Sequence, residues 1–475
     1  MTCRTLTLVA LLVLALPVLS ADLLQVYQLA RSNDSQHEAA QARFEADVLA
    51  GRLGRVRSLP QLNFSYRWMY NDYDSNQQTL TFDGVSTVSF QQCVDSADPL
   101  ACLLQGLDGV EIAPLRSTYT SREANLTLTQ VLFDPDVSAE RQRGNALALK
   151  AAAAMTQADR ELIMRVVDHY LAVLEAGDQA QLASRQLDSI VAQQQLAEQR
   201  FQLGIGRETD VYEAQTAADE QRLAVEAAQT RRRLALLALS GMTGSTLGDV
   251  LQVSAAMPVQ RLQPQDASHW IALAMARNDA IKIAEAAGQL AQHDMRRHRH
   301  SRLPRVLAAA NYNERELDGG QAFQPESTTT SIGVEIRLPL YNGGAMSLGK
   351  QQAAYREMEA RHLLALQKNS VETAIVGQLL LIDHAVNRYQ AQQRAVDTSA
   401  KSLAITRRAY DQGVGSLAEL FRVQHNHYQA QLKLSQARYD YIRRVCELKQ
   451  QAGSLSLADI RELNAWLVSA ADAAH

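Results

Sequence analysis

The most constraining feature of the sequence is a run of 68 residues, Asp136 to Leu203, that contains no proline and only two glycines. Near its end apolar or small residues recur at alternating spacings of four and three, the pattern of a helix that packs along other helices. Such a helix would be about 100 Å long, roughly three times the thickness of a bilayer core. The sequence predicts a second rod of similar length from Ala345 to Asp411.

Four other segments have the two-residue period of β-strands. In the first, an aromatic and apolar series from Leu62 to Tyr70 alternates with mainly polar residues. The strands are predicted at about residues 61–71, 119–133, 303–316 and 328–341.

The two halves of the chain repeat the same order of elements. Leu59-Pro60 corresponds to Leu303-Pro304, and the turn Gly204-x-Gly206 corresponds to Gly413-x-Gly415. We therefore predict a mainly α, internally duplicated fold of helix, two strands and a long helical hairpin. Its parts are a signal peptide (1–20), a first repeat (21–257, hairpin about 136–240), a linker (258–266), a second repeat (267–453, hairpin about 345–450) and a C-terminal tail (454–475).

The predicted signal peptide is an apolar run, Leu6 to Leu19, that ends in small residues before Ala21. Export makes a disulfide between Cys93 and Cys102 plausible, with two free loop thiols as the alternative, whereas Cys446 fits buried packing in a helix. The net charge of -4 gives no reason to expect nucleic acid as a partner. No cofactor or metal is predicted.

The strands combine one apolar face with one polar face, as in membrane barrels. An open sheet edge in hydrocarbon leaves unpaired backbone groups, each costing several kcal/mol, so four strands cannot stand there alone. Several chains must then pool their strands around a polar pore, and an exported protein of this kind points to a bacterial outer membrane. The alternative is a soluble two-sheet domain with helical arms, which leaves both strand pairs short of partners.

Several motifs together resemble the TolC-type outer membrane ducts of Gram-negative bacteria. They are the opening Asp22 to Asn33, the strand start Leu59-Pro60-Gln61-Leu62, the segment Leu338 to Gly344 and the two Gly-x-Gly turns. The resemblance implies a homotrimer whose three chains share a 12-stranded transmembrane β-barrel and a long coiled-coil α-barrel in the periplasm. It also implies an exit duct for type I protein secretion, multidrug efflux or both, working with a periplasmic adaptor (membrane fusion) protein and an inner-membrane ABC or RND transporter.

The resemblance places the functional residues at the two turns. Adaptor contact is expected at the tips, and the closed pore entrance is expected just beyond them. The tip residues are Leu203, Gly204, Ile205, Gly206, Gly413, Val414 and Gly415, and the pore residues are Arg207, Glu208, Asp210, Tyr410, Glu419 and Arg422.

This chain departs from the family pattern at two of these positions. Arg422 stands where the best-known members carry a second acid, and Gly415 stands where they carry a basic residue. The Glu419-Arg422 spacing permits an ion pair along one helix, which would partly neutralise an acidic ring. Glu419 is alternatively part of a helix capping box with Ser416. We hypothesise that contacts among Tyr410, Arg207 and Asp210 hold the tips closed.

A basic run from His293 to His300 precedes the third strand. His298 and His300 do not share a helix face, and the adjacent arginines repel a cation, which argues against a metal site. The run echoes Arg52, Arg55 and Arg57 before the first strand, and faces either solvent or anionic lipid headgroups.

The sequence thus favours a passive conduit and not an enzyme, because it shows no nucleophile and base motif and no metal-ligand spacing. A periplasmic coiled-coil adaptor or scaffold without a pore is the alternative. Protein toxins and small drugs fit the sequence equally well as cargo.

Overall fold

The computed structural model describes residues 21–82, 110–254, 256–319 and 326–468. The helices are α1 (Leu23–Asn33), α2 (Ser35–Val56), α3 (Pro135–Gln202), α4 (Glu208–Thr243), α5 (Ala267–Arg277), α6 (Asp279–Arg299), α7 (Ala345–Asp411), α8 (Leu417–Gln451) and α9 (Leu457–Asn464). The strands are β1 (Gln61–Phe82), β2 (Val110–Phe133), β3 (Gln252–Val253), β4 (Arg305–Asp318), β5 (Glu326–Arg337) and β6 (Leu467–Val468). The predicted signal peptide and the cysteines Cys93 and Cys102 lie outside the described residues.

Two long helices dominate the chain. α3 has 68 residues and α7 has 67, and each is followed by a return helix of about half that length, α4 or α8. α3 begins at Pro135, where a missing amide hydrogen is harmless, and the Asp134 side chain accepts a hydrogen bond from the Asp136 amide. Every helix in the described part of the chain is too short or too polar to span a membrane.

The strands differ from their predicted bounds. β1 and β2 run on to Phe82 and back to Val110, beyond the predicted limits of 71 and 119. The sequence from Asn71 to Gln78 is almost entirely polar and has no apolar alternation, while backbone pairing continues across a bulge at Ser75/Gln78. β5 instead ends at Arg337, short of the predicted 341, because Pro339 has no amide hydrogen for the ladder and restricts Leu338.

The four long strands form one antiparallel sheet in the order β1-β2-β4-β5. The register puts Leu62, Leu128, Ala310 and Ile332 in one row across the sheet. The neighbouring row on the opposite face is Asn63, Thr127, Asn311 and Ser331. We call the end of the sheet that adjoins the helices its base. At the base one face of the sheet is therefore apolar and exposed, and the other face is polar.

The chain divides into two compact units. One comprises residues 52–142 and 296–351 and contains this sheet; the other comprises residues 1–51, 143–295 and 352–475 and contains most of the helical residues. The second unit has a large apolar core built from the middle of α3, α7 and α8 and from the small helices. Leu162, Tyr170, Ile375, Ile382 and Leu448 are almost completely buried in it. Cys446, a free thiol, also lies in this core, which confirms its predicted packing role.

Candidate functional site at the helical turns

The two turns that join the long helices to their return helices have the same backbone geometry. Gly204 has φ +73° and Gly413 has φ +78°, the left-handed conformation that glycine adopts without strain. Ile205 N–H donates to the Arg200 carbonyl (3.0 Å), and Val414 N–H donates to the Ala409 carbonyl (3.0 Å). The repeat seen in the sequence therefore extends to individual hydrogen bonds.

The second glycine of each turn is required for a different reason. A Cβ on Gly206 would lie 2.6 Å from the Phe201 nitrogen, and one on Gly415 would lie 3.2 Å from the Tyr410 nitrogen. The first distance leaves no room for any side chain, and the second is tighter than ordinary van der Waals contact. Gly415 thus permits a compact turn at the place where the family pattern has a basic residue.

Apolar side chains project from both tips. Ile205 is 77% exposed and Val414 is 83% exposed, and Leu203 is similarly open. Each turn therefore offers solvent an apolar residue between two glycines, an arrangement that suits contact with another protein.

A small buried cluster lies just above the turns. It consists of Ala197, Ala214, Tyr410, Leu417 and Leu420, one or two residues from each of the four hairpin helices. Two of its five members are alanines, so it buries much less apolar surface than the main core.

Tyr410 is the centre of the polar contacts in this cluster. The guanidinium of Arg200 lies over its ring, 5.2 Å from the centroid, as in a cation–π contact. Burial raises the pKa of the Tyr410 hydroxyl, the nearby Asp210 carboxylate raises it further, and Arg200 opposes both.

The predicted contacts among Tyr410, Arg207 and Asp210 are only partly present within one chain. The Asp210 carboxylate raises the pKa of Tyr410, but the Arg207 side chain makes no hydrogen bond or ion pair with the described residues. Arg207 occupies the N-cap of α4, and Glu208 accepts a long hydrogen bond of 3.4 Å from the Tyr212 hydroxyl. Arg200 was missed by the sequence analysis, since its contact with Tyr410 joins residues 210 positions apart.

Glu419 and Arg422 form the ion pair that their spacing permits. Arg422 donates from Nε and Nη2 to the two carboxylate oxygens of Glu419, at 2.9 and 2.5 Å. This hydrogen bonding lowers the pKa of Glu419. The Ser416 hydroxyl accepts from the Glu419 amide at 3.2 Å, so Ser416 caps α8 while the Glu419 side chain bonds Arg422.

Polar side chains occupy the interface between α3 and α8 above the cluster. Asp178 accepts hydrogen bonds from the Tyr439 hydroxyl (2.8 Å) and from the Ser435 hydroxyl. Gln193 and Gln424 are buried, and each has a side-chain atom without a partner among the described residues. This stretch lies between the tip cluster and the main apolar core, and each buried polar atom without a partner costs free energy.

A scan against protein families matches residues 26–245 and 270–454 to a model described as outer membrane efflux protein. The chain belongs to the outer membrane efflux protein family. Both halves of the chain lie within the match, and the outer membrane location predicted from the sequence follows from it.

Curated relatives include both secretion and efflux proteins. The chain is 26% identical over 461 residues to the alkaline protease secretion protein AprF of Pseudomonas aeruginosa, covering 97% of this chain and 90% of the relative. It is 24% identical over 464 residues to the outer membrane protein TolC of Vibrio cholerae, covering 96% of each.

Solved structures of the same fold include CusC, with a TM-score of 0.71, 16% identity and coverage of 92% of this chain and 93% of that one. VceC from Vibrio cholerae superposes with a TM-score of 0.68, 15% identity and coverage of 91% and 96%. These likenesses confirm the predicted TolC-type fold class, helical with antiparallel strands.

Proposed function

We propose that three copies of this family member pool their strands and helices to form an outer membrane exit duct. The observation that carries the proposal is the amphipathic four-stranded sheet, whose edge strands β1 and β5 have no outer partner within the described residues. Pairing β5 of one copy with β1 of the next satisfies these edges, and three copies give the 12 strands that the resemblance implies.

The exposed apolar face of the sheet has the dimensions of a lipid-facing band. Ile332, Val334 and Ile336 on β5 are all well exposed, and the alternation continues to Leu340. The nine residues from Ile332 to Leu340 match the roughly nine to eleven that a tilted transmembrane strand needs.

The opposite face suits a water-filled lumen. Its polar side chains bond one another across strands, from Thr127 to Asn311 (2.9 Å) and from Asn313 to Glu123 (3.1 Å). These contacts satisfy hydrogen-bonding groups and leave the face hydrophilic, as in known pores.

The turns are the proposed gate and the proposed docking site. Held by the small cluster around Tyr410, they close the periplasmic end, and the adaptor binds the apolar tips at Leu203 to Gly206 and Gly413 to Gly415. Opening separates Tyr410 from Arg200 and Asp210, while Arg207, Glu208, Glu419 and Arg422 line the entrance.

Type I secretion of a protein is the favoured cargo route, with an ABC transporter at the inner membrane. Relatives that match across most of the chain include AprF and the proteases secretion protein PrtF of Dickeya chrysanthemi. The second candidate is drug efflux with an RND transporter, favoured by the match to the efflux protein BepC of Brucella suis.

A deletion strain tests the function. Loss of a secreted protein from the medium, restored by the wild-type chain, supports type I secretion. Increased drug sensitivity with normal secretion supports efflux instead. If the protein fractionates with the soluble periplasm and neither phenotype appears, the duct proposal is wrong and the scaffold alternative stands.

A further inference from the structure

A strongly basic belt lies at the end of the sheet that adjoins the helices. We define the basic belt as residues 52–60, 134–141, 296–305 and 342–351, the ends of α2 and α6 and the starts of α3 and α7 with their adjoining segments. It contains ten Arg or Lys residues and three acids, a net charge of +7 in a chain whose overall charge is -4.

Packing contacts bring these four segments together. A Cβ on Gly54 would lie 2.9 Å from the Glu140 carbonyl oxygen, so α2 approaches the start of α3 closely. Arg297 on α6 pairs with Asp136 on α3 at 3.5 Å. A Cβ on Gly349 would lie 3.0 Å from Nδ1 of His298, which places the start of α7 against the end of α6.

The three acids are already engaged by two of the arginines. Arg297 pairs with Asp136 and Glu140, and Arg305 pairs with Asp134 (3.6 Å) and Asp136. Five arginines at or just beyond the ends of α2 and α6 are exposed and make no ion pair with the described residues: Arg52, Arg57, Arg296, Arg299 and Arg302. Arg141 and Lys350, at the starts of α3 and α7, are exposed as well. Cations at a helix C-terminus gain only about 0.3 to 1 kcal/mol from the helix dipole, which does not account for clustering this many like charges.

The belt adjoins the apolar face of the sheet. Arg57 is five residues before Leu62, and Arg302 is four residues before Val306, so each lies within about 17 Å of the apolar band. Phe133 and Tyr341 are exposed between belt and band, as aromatic residues are at a membrane surface. The headgroup layer adds roughly 5 to 8 Å on each side of the hydrocarbon.

We propose that the basic belt binds anionic phospholipid headgroups of the periplasmic leaflet. The inference rests on the proposed outer membrane duct, because the apolar band must lie in the bilayer for the belt to reach headgroups. One guanidinium group can donate two parallel hydrogen bonds to two oxygens of a phosphate. An anionic surface also relieves the mutual repulsion of the five arginines that have no ion pair among the described residues. Three copies would surround the barrel with fifteen such side chains.

The test measures which lipids the intact oligomer retains. The purified full-length assembly is equilibrated in mixed micelles of phosphatidylethanolamine and phosphatidylglycerol at 3:1, and the bound lipids are quantified by mass spectrometry. Wild type should enrich phosphatidylglycerol at least fivefold over the bulk ratio, since one basic residue near an anionic surface contributes about that factor. In 1 M salt the enrichment should disappear, because the screening length falls to about 3 Å.

A charge-matched pair of variants locates the effect. The variant R52Q/R57Q/R296Q/R299Q/R302Q should bind the two lipids in the bulk ratio, while R231Q/R233Q/R394Q/K401Q/R407Q, which removes five exposed charges elsewhere, should behave as wild type. A five-lysine version of the belt should retain most of the enrichment.

Three results would overturn the proposal. The first is unchanged enrichment in the belt variant, and the second is an equal loss of enrichment in the control variant. The third is a belt variant that keeps its lipid enrichment but no longer binds peptidoglycan sacculi, since this result assigns the belt to the cell wall. Single-channel recording of the same preparations separates this failure from that of the duct. An assembly that conducts but does not select lipids refutes only the belt proposal.

Discussion

The main core and the tip cluster hold the same hairpin helices by different means. The main core buries large aliphatic and aromatic side chains such as Leu162, Tyr170 and Ile375. The tip cluster buries two alanines, two leucines and a tyrosine, and adds a cation–π contact that water can compete for. The core therefore buries more apolar surface than the tips do, and this difference is why we propose that a partner can open the tips while the core keeps the helices in place.

The largest expected effect comes from truncating the main core. Ile375→Ala should lower the free energy of unfolding by about 2 to 5 kcal/mol, because the site is completely buried and the cavity cannot collapse. Thermal unfolding followed by circular dichroism checks this. Single-channel conductance of the surviving protein should stay at the closed level; a strongly raised conductance would mean that the core, and not the tip cluster, holds the duct shut.

The second prediction breaks the tip cluster instead. Arg200→Gln removes the charge over Tyr410, a contact worth about 0.5 to 1 kcal/mol at an exposed site, and in three copies it should raise the open probability by about tenfold or more. Planar-bilayer recordings provide the measurement. Tyr410→Phe is the matched control, since it keeps the ring under Arg200 and should have a smaller effect.

The same recordings show whether Arg207 also helps to keep the channel closed. The double variant Tyr410→Phe with Arg207→Ser should also raise conductance if Arg207 bonds a neighbouring copy, because it makes no bond within its own chain. An unchanged conductance would remove Arg207 from the gate and leave Arg200 as the cation that matters.

The sequence revealed the overall plan because it depends on periodicity. The two-residue alternation identified the strands, and the helical spacing with the absence of proline identified the long helices. The Glu419-Arg422 pair followed from a spacing of three on one helix. The outer parts of β1 and β2 were missed because the sequence from Asn71 to Gln78 is almost entirely polar and was therefore interpreted as the start of a loop. Arg200 was missed because its contact with Tyr410 exists only after two hairpins pack together.

The third prediction concerns pH. Burial raises the pKa of Tyr410, so the neutral hydroxyl is the form that fits the closed cluster. The stabilisation is complete below the ordinary tyrosine pKa of about 10 and is lost as the pH rises through the higher pKa of the closed state. Open probability should therefore rise above about pH 10 in wild type and should not rise in Tyr410→Phe. The same rise in both proteins would exclude Tyr410 as the titrating group.

The fourth prediction concerns selectivity, with little effect on stability. Arg422→Gln frees the carboxylate of Glu419, so three copies create an acidic ring that should increase the cation over anion permeability ratio. Because Arg422 lowers the pKa of Glu419, the acidic pH at which selectivity is lost should move upward in the variant. Arg394→Gln, an exposed change on α7 away from the turns, serves as the control. Reversal potentials in a salt gradient that do not change would mean that Glu419 does not face the pore.

The smallest effect is a thiol count that reports on the main core alone. Burial raises the pKa of Cys446 to about 12, so the native protein should not react with an alkylating reagent at pH 8. The sequence has four cysteines, of which Cys3 is removed with the predicted signal peptide. After denaturation without reductant, one thiol per mature chain should react if Cys93 and Cys102 form the predicted disulfide, and three should react after reduction. Three reactive thiols before reduction would leave the alternative of two free loop cysteines.

One chain leaves both edges of its sheet without an outer partner among the described residues, and we propose that three chains complete the sheet together. Native mass spectrometry of the protein extracted from outer membranes in detergent tests this most directly. We expect a particle of three chains, whereas a particle of one chain that needs no detergent for extraction would show that the sheet is not completed in this way.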